Sequence, residues 1–279
     1  MTTNPESIDR YKLGIIGGGV MAEALLSRML RAKTYSPKEV LVSEPQPHRR
    51  DLLAQTYGVQ TTTDNQTVLA SSEVVLLAVK PQVFEAIAAD VANASILPEG
   101  RAPLVISILA GVTLSKLEAA FPEKPIVRAM PNTPATIGAG MTAIAPGVYA
   151  DDEALQQARN ILEVVGEVVD VPESLMDAVT GLSGSGPGYV AIVIEALTDG
   201  GVAAGLPRSI AARLALQTVL GTALMIVKSG MHPAQLKDRV TSPGGTTIAG
   251  IAELEKAGVR SAFIEAIQAA SRRSQELGR

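Results

Sequence analysis

Two loops carry residues whose types and spacing suit chemistry. In the stretch Lys12–Ala22, an apolar run, Leu13–Ile16, ends in Gly17-Gly18-Gly19 and passes into a helix-compatible segment. Gly17, Gly19 and Ala22 fit the pattern G-x-G-x-x-G/A. In that pattern the first glycine permits a tight strand-to-helix turn. The second lets the backbone approach a pyrophosphate, and the small third residue lets the helix pack close to the strand. The free N–H groups of the helix start then face the phosphates. A strand before and a helix after the glycines strengthen the signal, although a glycine turn without a ligand has the same spacing. The other loop is Thr241-Ser242-Pro243-Gly244-Gly245-Thr246-Thr247. Its glycines expose backbone N–H groups at a helix start among hydroxyls, a nest suited to a carboxylate. A helix N-cap made by Thr246 or Thr247 is the plainer alternative.

Further candidates stand where strands should end. Ser43 closes the second expected strand, where a dinucleotide fold meets the adenine ribose. An acidic side chain there binds a 2′-hydroxyl. A small hydroxyl with Arg49 and Arg50 nearby suits a 2′-phosphate, which guanidinium groups grip in a bidentate fork. Glu44 argues the other way, so the balance leans to NADPH with NADH as the alternative. Lys80, in Ala78-Val79-Lys80-Pro81, stands at a strand end where it can bind a cofactor phosphate or shape the site. Asn65 can bond a ribose or simply start a helix. Arg128-Ala-Met-Pro-Asn132-Thr133-Pro134 is stiffened by two prolines and offers polar atoms, or is only a rigid turn.

Short apolar runs alternating with helices must position these loops. Strands are expected at Leu13–Ile16, Val40–Val42, Val59–Thr63, Val74–Val79, Leu104–Ser107, Pro125–Met130, Met141–Ala145 and Gly166–Val171. Helices are expected at Met21–Ala32, His48–Tyr57, Phe84–Ala94 and from Asp151 to about Val164. This predicts an α/β fold with a mostly parallel, doubly wound sheet. Its ligand belongs outside the carboxyl ends of the strands, where the loops at Gly17–Gly19, Ser43–Glu44, Ala78–Pro81 and Ser107–Gly111 fall. Beyond Pro172 the alternation stops. Helices are expected at Glu173–Leu182, Gly188–Ala204, Arg208–Lys228, Ala234–Val240, 248–257 and 259–277, with an interruption at Ser183–Pro187. The domain boundary is therefore placed at residue 170, with 1–170 and 171–279 as the two domains. The long helices are apolar on more than one face, so a homodimer through the second domain is expected.

Composition narrows the classes. The formal net charge is −4, which argues against a general nucleic-acid binder. There is no cysteine, hence no thiol nucleophile or thiolate metal site, and His48 and His232 are too few for a multi-histidine metal centre. Residues 1–10 are polar, without the apolar core of a signal peptide, and no uninterrupted apolar stretch approaches the ~20 residues of a membrane span. The expectation is a soluble cytoplasmic protein that binds no metal, membrane or nucleic acid.

Five segments together resemble the pyrroline-5-carboxylate reductase family. They are Gly14–Ala22, Ala78–Gln82, Arg128–Pro134, Leu182–Pro187 and Leu236–Ile248. The last is specific to the family; the first is shared by many dehydrogenases. The resemblance implies an N-terminal Rossmann-like NADP-binding domain and an all-α substrate-binding and dimerisation domain. It implies reduction of the ring C=N bond of L-1-pyrroline-5-carboxylate to L-proline, usually with NADPH, in the last step of proline biosynthesis. Carried onto this sequence, Ile16, Gly17, Gly18, Gly19, Val20 and Met21 would hold the cofactor. Asn65, Ala78, Val79, Lys80, Pro81, Leu109, Ala110 and Gly111 would do so too. Ser242, Gly244, Gly245, Thr246 and Thr247 would hold the substrate. Its carboxylate would meet the N–H groups of Gly245–Thr247, and Thr247 would hydrogen-bond the ring nitrogen. The resemblance further implies homodimers, often gathered into decamers.

Two rival readings are weaker. A 3-hydroxyacid dehydrogenase uses a lysine on a long helix of its second domain, and Gly181–Gly205 contains none. A non-catalytic NADP-binding sensor would leave the Ser-Pro-Gly-Gly-Thr-Thr loop with no purpose beyond capping.

Overall fold

The computed structural model describes residues 10–91 and 102–278. By internal contacts the chain forms two units. One comprises the residues up to Gly184 together with those from Ala270 onward, and the other is Ser185–Ala269.

The first unit is built from β1 (Tyr11–Ile16), α1 (Val20–Arg31), β2 (Val40–Ser43), α2 (Pro47–Tyr57), β3 (Gln60–Thr62), α3 (Asn65–Ser71), β4 (Ser72–Leu77), α4 (Phe84–Val91), β5 (Leu104–Ser107), α5 (Leu114–Ala120), β6 (Ile126–Met130), β7 (Gly140–Pro146), α6 (Asp152–Leu162), β8 (Gly166–Asp170) and α7 (Met176–Val179). The strands form one sheet in the order β3-β2-β1-β4-β5-β6-β7-β8. All the expected strands are present. The part of the helix expected at Phe84–Ala94 that lies beyond Val91 is outside the described residues.

Burial explains why these runs become strands. In β4 and β5, Val74, Leu76, Leu104 and Ile106 feed one hydrophobic cluster. Their neighbours Val75, Leu77 and Val105 feed the cluster on the other face. Strands buried on both sides read as continuous apolar runs, the signature of a parallel sheet covered by helices. Among the described residues, only β6 and β7 pair antiparallel. Their connection, residues 131–139, is too short for the crossover of a dozen or more residues that a parallel pair needs.

The helix that Asn65 was expected to start is present as α3, whereas α5 was not expected. Asp64 caps α3 by accepting from the N–H groups of Gln66 and Thr67, and Thr113 caps α5. The helix expected at Glu173–Leu182 is instead a 3-10 turn, α7 and a π turn at Thr180–Gly184, and the next helix begins at Gly186, inside the interruption expected at Ser183–Pro187. This segment belongs to the first unit, so the division by contacts falls some fourteen residues after the expected boundary at 170. Among the contacts that hold it there, Met176 is buried in the sheet's cluster, Asn132 Nδ2 donates to the Ser183 carbonyl, and Arg128 pairs with Glu173 at 2.9 Å.

Arg128 is 5% exposed, and Glu173 also accepts from the Leu114 N–H. Removing the cation leaves that carboxylate without its partner. A fully buried pair broken this way costs about 3–5 kcal/mol, but a third of Glu173 is in water. Arg128→Ala is therefore expected to cost about 2–3 kcal/mol in urea unfolding, and Arg128→Met with Glu173→Leu to recover most of it. An unchanged midpoint for the single variant would show the pair to be dispensable.

The chain's end returns to the first unit. Ser274 Oγ donates to Asp177 Oδ1 at 2.6 Å and is 4% exposed. A side chain on Gly278 would meet the Gly111 carbonyl oxygen at 2.7 Å. The last turn of the chain thus packs directly on the 109–111 loop.

The second unit contains α8 (Gly186–Ala203), α9 (Arg208–Ser229), α10 (Pro233–Arg239), α11 (Thr246–Lys256) and the first part of α12 (Val259–Gly278). Helices α8 and α9 pack closely at Gly201, where an added methyl would meet Ala211 Cβ at 3.0 Å, and Arg208 pairs with Asp199. Large apolar side chains stay exposed on several faces, among them Ile192, Leu214, Leu220 and Val227. By length and composition α9 is long and apolar enough to cross a membrane, with an 18-residue window of mean hydropathy 1.8, but Arg213 and Gln217 interrupt it, so it is not the uninterrupted apolar stretch of a span.

Candidate active site

The order of the sheet reverses between β1 and β4, since β1 pairs with β2 on one side and with β4 on the other. A crevice at the carboxyl ends of the strands follows at such a switch point. Backbone bonds fix its rim. Gly17 N–H donates to the Ser43 carbonyl at 2.8 Å, Ala78 N–H to Ile16 at 2.9 Å, and Ile108 N–H to Leu77 at 3.1 Å. The structure therefore brings together the loops expected at Gly17–Gly19, Ser43–Glu44, Ala78–Pro81 and Ser107–Gly111.

The glycines divide their work. Gly17 has φ +99°, and a Cβ there would meet the Ala78 carbonyl oxygen at 2.8 Å. Gly19 is the N-cap of α1 in ordinary extended backbone, with nothing within 4 Å of where a Cβ would be. Val20, in the first turn, is 76% exposed. Lys80 is exposed at the head of a 3-10 turn, whereas Leu109 is 1% exposed, so only its backbone can face a ligand.

Ser43 and Asn65 are tied to each other. Ser43 Oγ, 2% exposed, donates to Asn65 Oδ1 at 2.7 Å, and Asn65 Nδ2 donates to Asp90. Asn65 follows the cap residue Asp64 and is not itself the cap. Asn132 is occupied at both ends, accepting from Met141 N–H and donating to Ser183.

Sequence reasoning missed the network behind Gly18. Arg49 Nε donates to the Gly18 carbonyl at 2.6 Å, and its Nη2 pairs with Glu23. Tyr57 Oη donates to the other Glu23 oxygen at 2.9 Å. Burial pushes the Glu23 carboxyl up, but the bonds from Arg49 and Tyr57 outweigh it and hold the group below its ordinary range. A carboxyl lowered on folding contributes stability above its unfolded value and loses it as pH falls through the folded one. Glu23→Gln is thus expected to lose stability at neutral pH while shedding less than the parent on acidification. Parallel urea midpoints for parent and variant across the acid range would refute this.

In the second unit the Ser242–Gly245 turn explains its own sequence. Gly245 N–H donates to the Ser242 carbonyl at 3.0 Å, with Pro243 and then Gly244, at φ +66°, in the middle. Proline followed by a positive-φ glycine is the pattern of a type II turn. A Cβ on Gly245 would lie 2.3 Å from Ser242 Oγ. Gly245 is the N-cap of α11, with no side-chain cap bond. The capping alternative for Thr246 and Thr247 is therefore not what the structure shows. The Gly245 N–H, expected to meet a carboxylate, is already spent within the turn. The amides of Thr246 and Thr247 lie in the first turn of α11, where helix N–H groups lack intrahelical partners.

The chain as a whole was compared with known proteins. It is 61% identical to a pyrroline-5-carboxylate reductase of Synechocystis over 268 residues, which cover 96% of this chain and 98% of the relative. The chain belongs to the pyrroline-5-carboxylate reductase family. The family model for pyrroline-5-carboxylate reductase dimerisation matches residues 173–277, and one described as NADP oxidoreductase, coenzyme F420-dependent, matches 12–111. The Arabidopsis thaliana reductase is 40% identical over 98% of both chains. Among solved structures, the Coxiella burnetii reductase superposes with a TM-score of 0.86 at 34% identity, over 97% of this chain and all of that one. The Plasmodium falciparum reductase, solved with NADP bound, gives 0.85 at 30% identity, over 98% of this chain and all of that one. The matched dimerisation region contains the second unit's exposed apolar side chains, among them Ile192, Leu214, Leu220 and Val227.

Proposed function

We propose that this chain reduces the ring C=N bond of L-1-pyrroline-5-carboxylate to L-proline, with NADPH or NADH as the hydride donor. The observation that carries this reading is the whole-length identity to a reductase of that name, across both the glycine crevice and the Ser242–Thr247 loop. Bound reduced nicotinamide supplies the hydride; the chain's residues bind, orient and exclude water. The loops at Ile16–Met21, Ala78–Pro81 and Leu109–Gly111, with Ser43 and Asn65, form the cofactor site. The empty space over Gly19 is the room a pyrophosphate needs.

The substrate carboxylate is held by the N–H groups of Thr246 and Thr247 at the positive end of α11, with Ser242, Gly244 and Gly245 shaping the turn. The Thr247 hydroxyl positions the ring nitrogen. A protonated imine is already an electrophile. Hydride addition to its carbon sends the C=N π electrons to nitrogen, and no strong enzymic acid is needed.

The proposed assembly is a homodimer through the residues matched by the dimerisation model, with decamers of such dimers above it, in the cytoplasm. Light scattering after size-exclusion in detergent-free buffer tests the dimer against a membrane role for α9, and cell fractionation tests the compartment. The function itself is tested by following the near-ultraviolet absorbance of each reduced nucleotide with L-1-pyrroline-5-carboxylate. Substrate-dependent decay with proline as product is expected. Tight nucleotide binding without turnover would overturn the reading.

A further inference from the structure

We infer that Glu44 sets the nucleotide preference of this chain, accepting from the ribose 2′-hydroxyl of NADH and holding back affinity for the 2′-phosphate of NADPH. The inference rests on the cofactor site proposed above.

Glu44 follows directly on β2, yet it is only 7% exposed. Its Oε2 accepts from Gly18 N–H at 2.8 Å, and its Oε1 accepts from Gln46 N–H at 2.9 Å. The side chain is lodged against the glycine loop, since a Cβ on Gly18 would meet Glu44 Cβ at 3.2 Å. A carboxylate so fixed beside the second strand's end occupies the place from which dinucleotide folds bind the ribose 2′-hydroxyl. A phosphate there would face like charge.

The arginines that would favour the phosphate have other partners. Arg49 is bound to the Gly18 carbonyl and Glu23, beneath the loop. Arg50 Nη1 donates to the carbonyls of Glu44 and Pro45. Gly18 is thereby held on both sides, its N–H by Glu44 and its C=O by Arg49. Ser43, the small hydroxyl that suggested a phosphate site, is turned to Asn65.

The test is equilibrium titration of the intact protein with NADPH and with NADH, followed by nicotinamide fluorescence without substrate. Wild type is expected to bind the two within about tenfold of each other. Glu44→Gln keeps an acceptor for the Gly18 N–H and removes the charge. It should tighten NADPH, weaken NADH and move the ratio at least tenfold toward NADPH, with Glu44→Ala moving it in the same direction. An unmoved ratio in the glutamine variant, with a parental melting curve, overturns the inference and leaves the cofactor site standing. Failure of wild type to bind either nucleotide overturns the site and the inference together.

Discussion

Thr247→Ala is expected to keep its fold and lose about a hundredfold in kcat, the scale on which a small misplacement of the reacting group costs rate. Thr247 is the second residue of α11, half-buried, and its hydroxyl makes no hydrogen bond among the described residues. Its removal breaks no contact within the chain, so stability should move by no more than about 0.5 kcal/mol. The carboxylate-holding amides are untouched, and KM should change little; a fall in kcat with steady KM marks an interaction made in the transition state. Thr247→Ser restores the hydroxyl and should restore most of the rate. Normal turnover in a folded alanine variant would remove Thr247 from the mechanism.

Gly19→Ala should weaken nucleotide binding about a hundredfold, on the order of 2.7 kcal/mol, while leaving the protein folded. The unliganded loop has room for the methyl group, and its extended backbone suits any residue. The cost to the fold is that of a poorer N-cap, about 1 kcal/mol at most. Gly17 supplies the contrast: its positive φ and the nearby Ala78 carbonyl make Gly17→Ala a folding defect first. A variant at 19 that melts normally but does not bind shows that the space above it is kept for a ligand. Parental affinity in Gly19→Ala would sink the pyrophosphate assignment.

The central strands were legible because they are buried on both faces and therefore apolar throughout, as Val74–Leu77 illustrates. Helix α5 escaped notice because its seven residues give too little periodicity, and its signal is the single cap Thr113. The π turn at Thr180–Gly184 could not be read, because it depends on contacts such as Asn132 to Ser183 with a residue far off in sequence. At the site, residue type revealed which loops matter, and the long-range hydrogen bonds revealed which polar groups remain available. Arg49 looked like a phosphate ligand only until its contacts with Gly18 and Glu23 were visible. The Ser242–Thr247 loop was the reverse case: proline, two glycines and hydroxyls in sequence determine their own turn locally.

The return of the chain's last turn to Gly111 bears on how the protein is made. Synthesis runs from the N-terminus, and domains generally fold as they emerge. Here the sheet can assemble early, but the 109–111 loop waits for Leu277 and Gly278, and Asp177 waits for Ser274. The first unit is therefore finished only after residues 274–278 have been made. A message that stops before the Ser274 codon would yield a chain whose sheet is sound and whose 109–111 loop is unbraced.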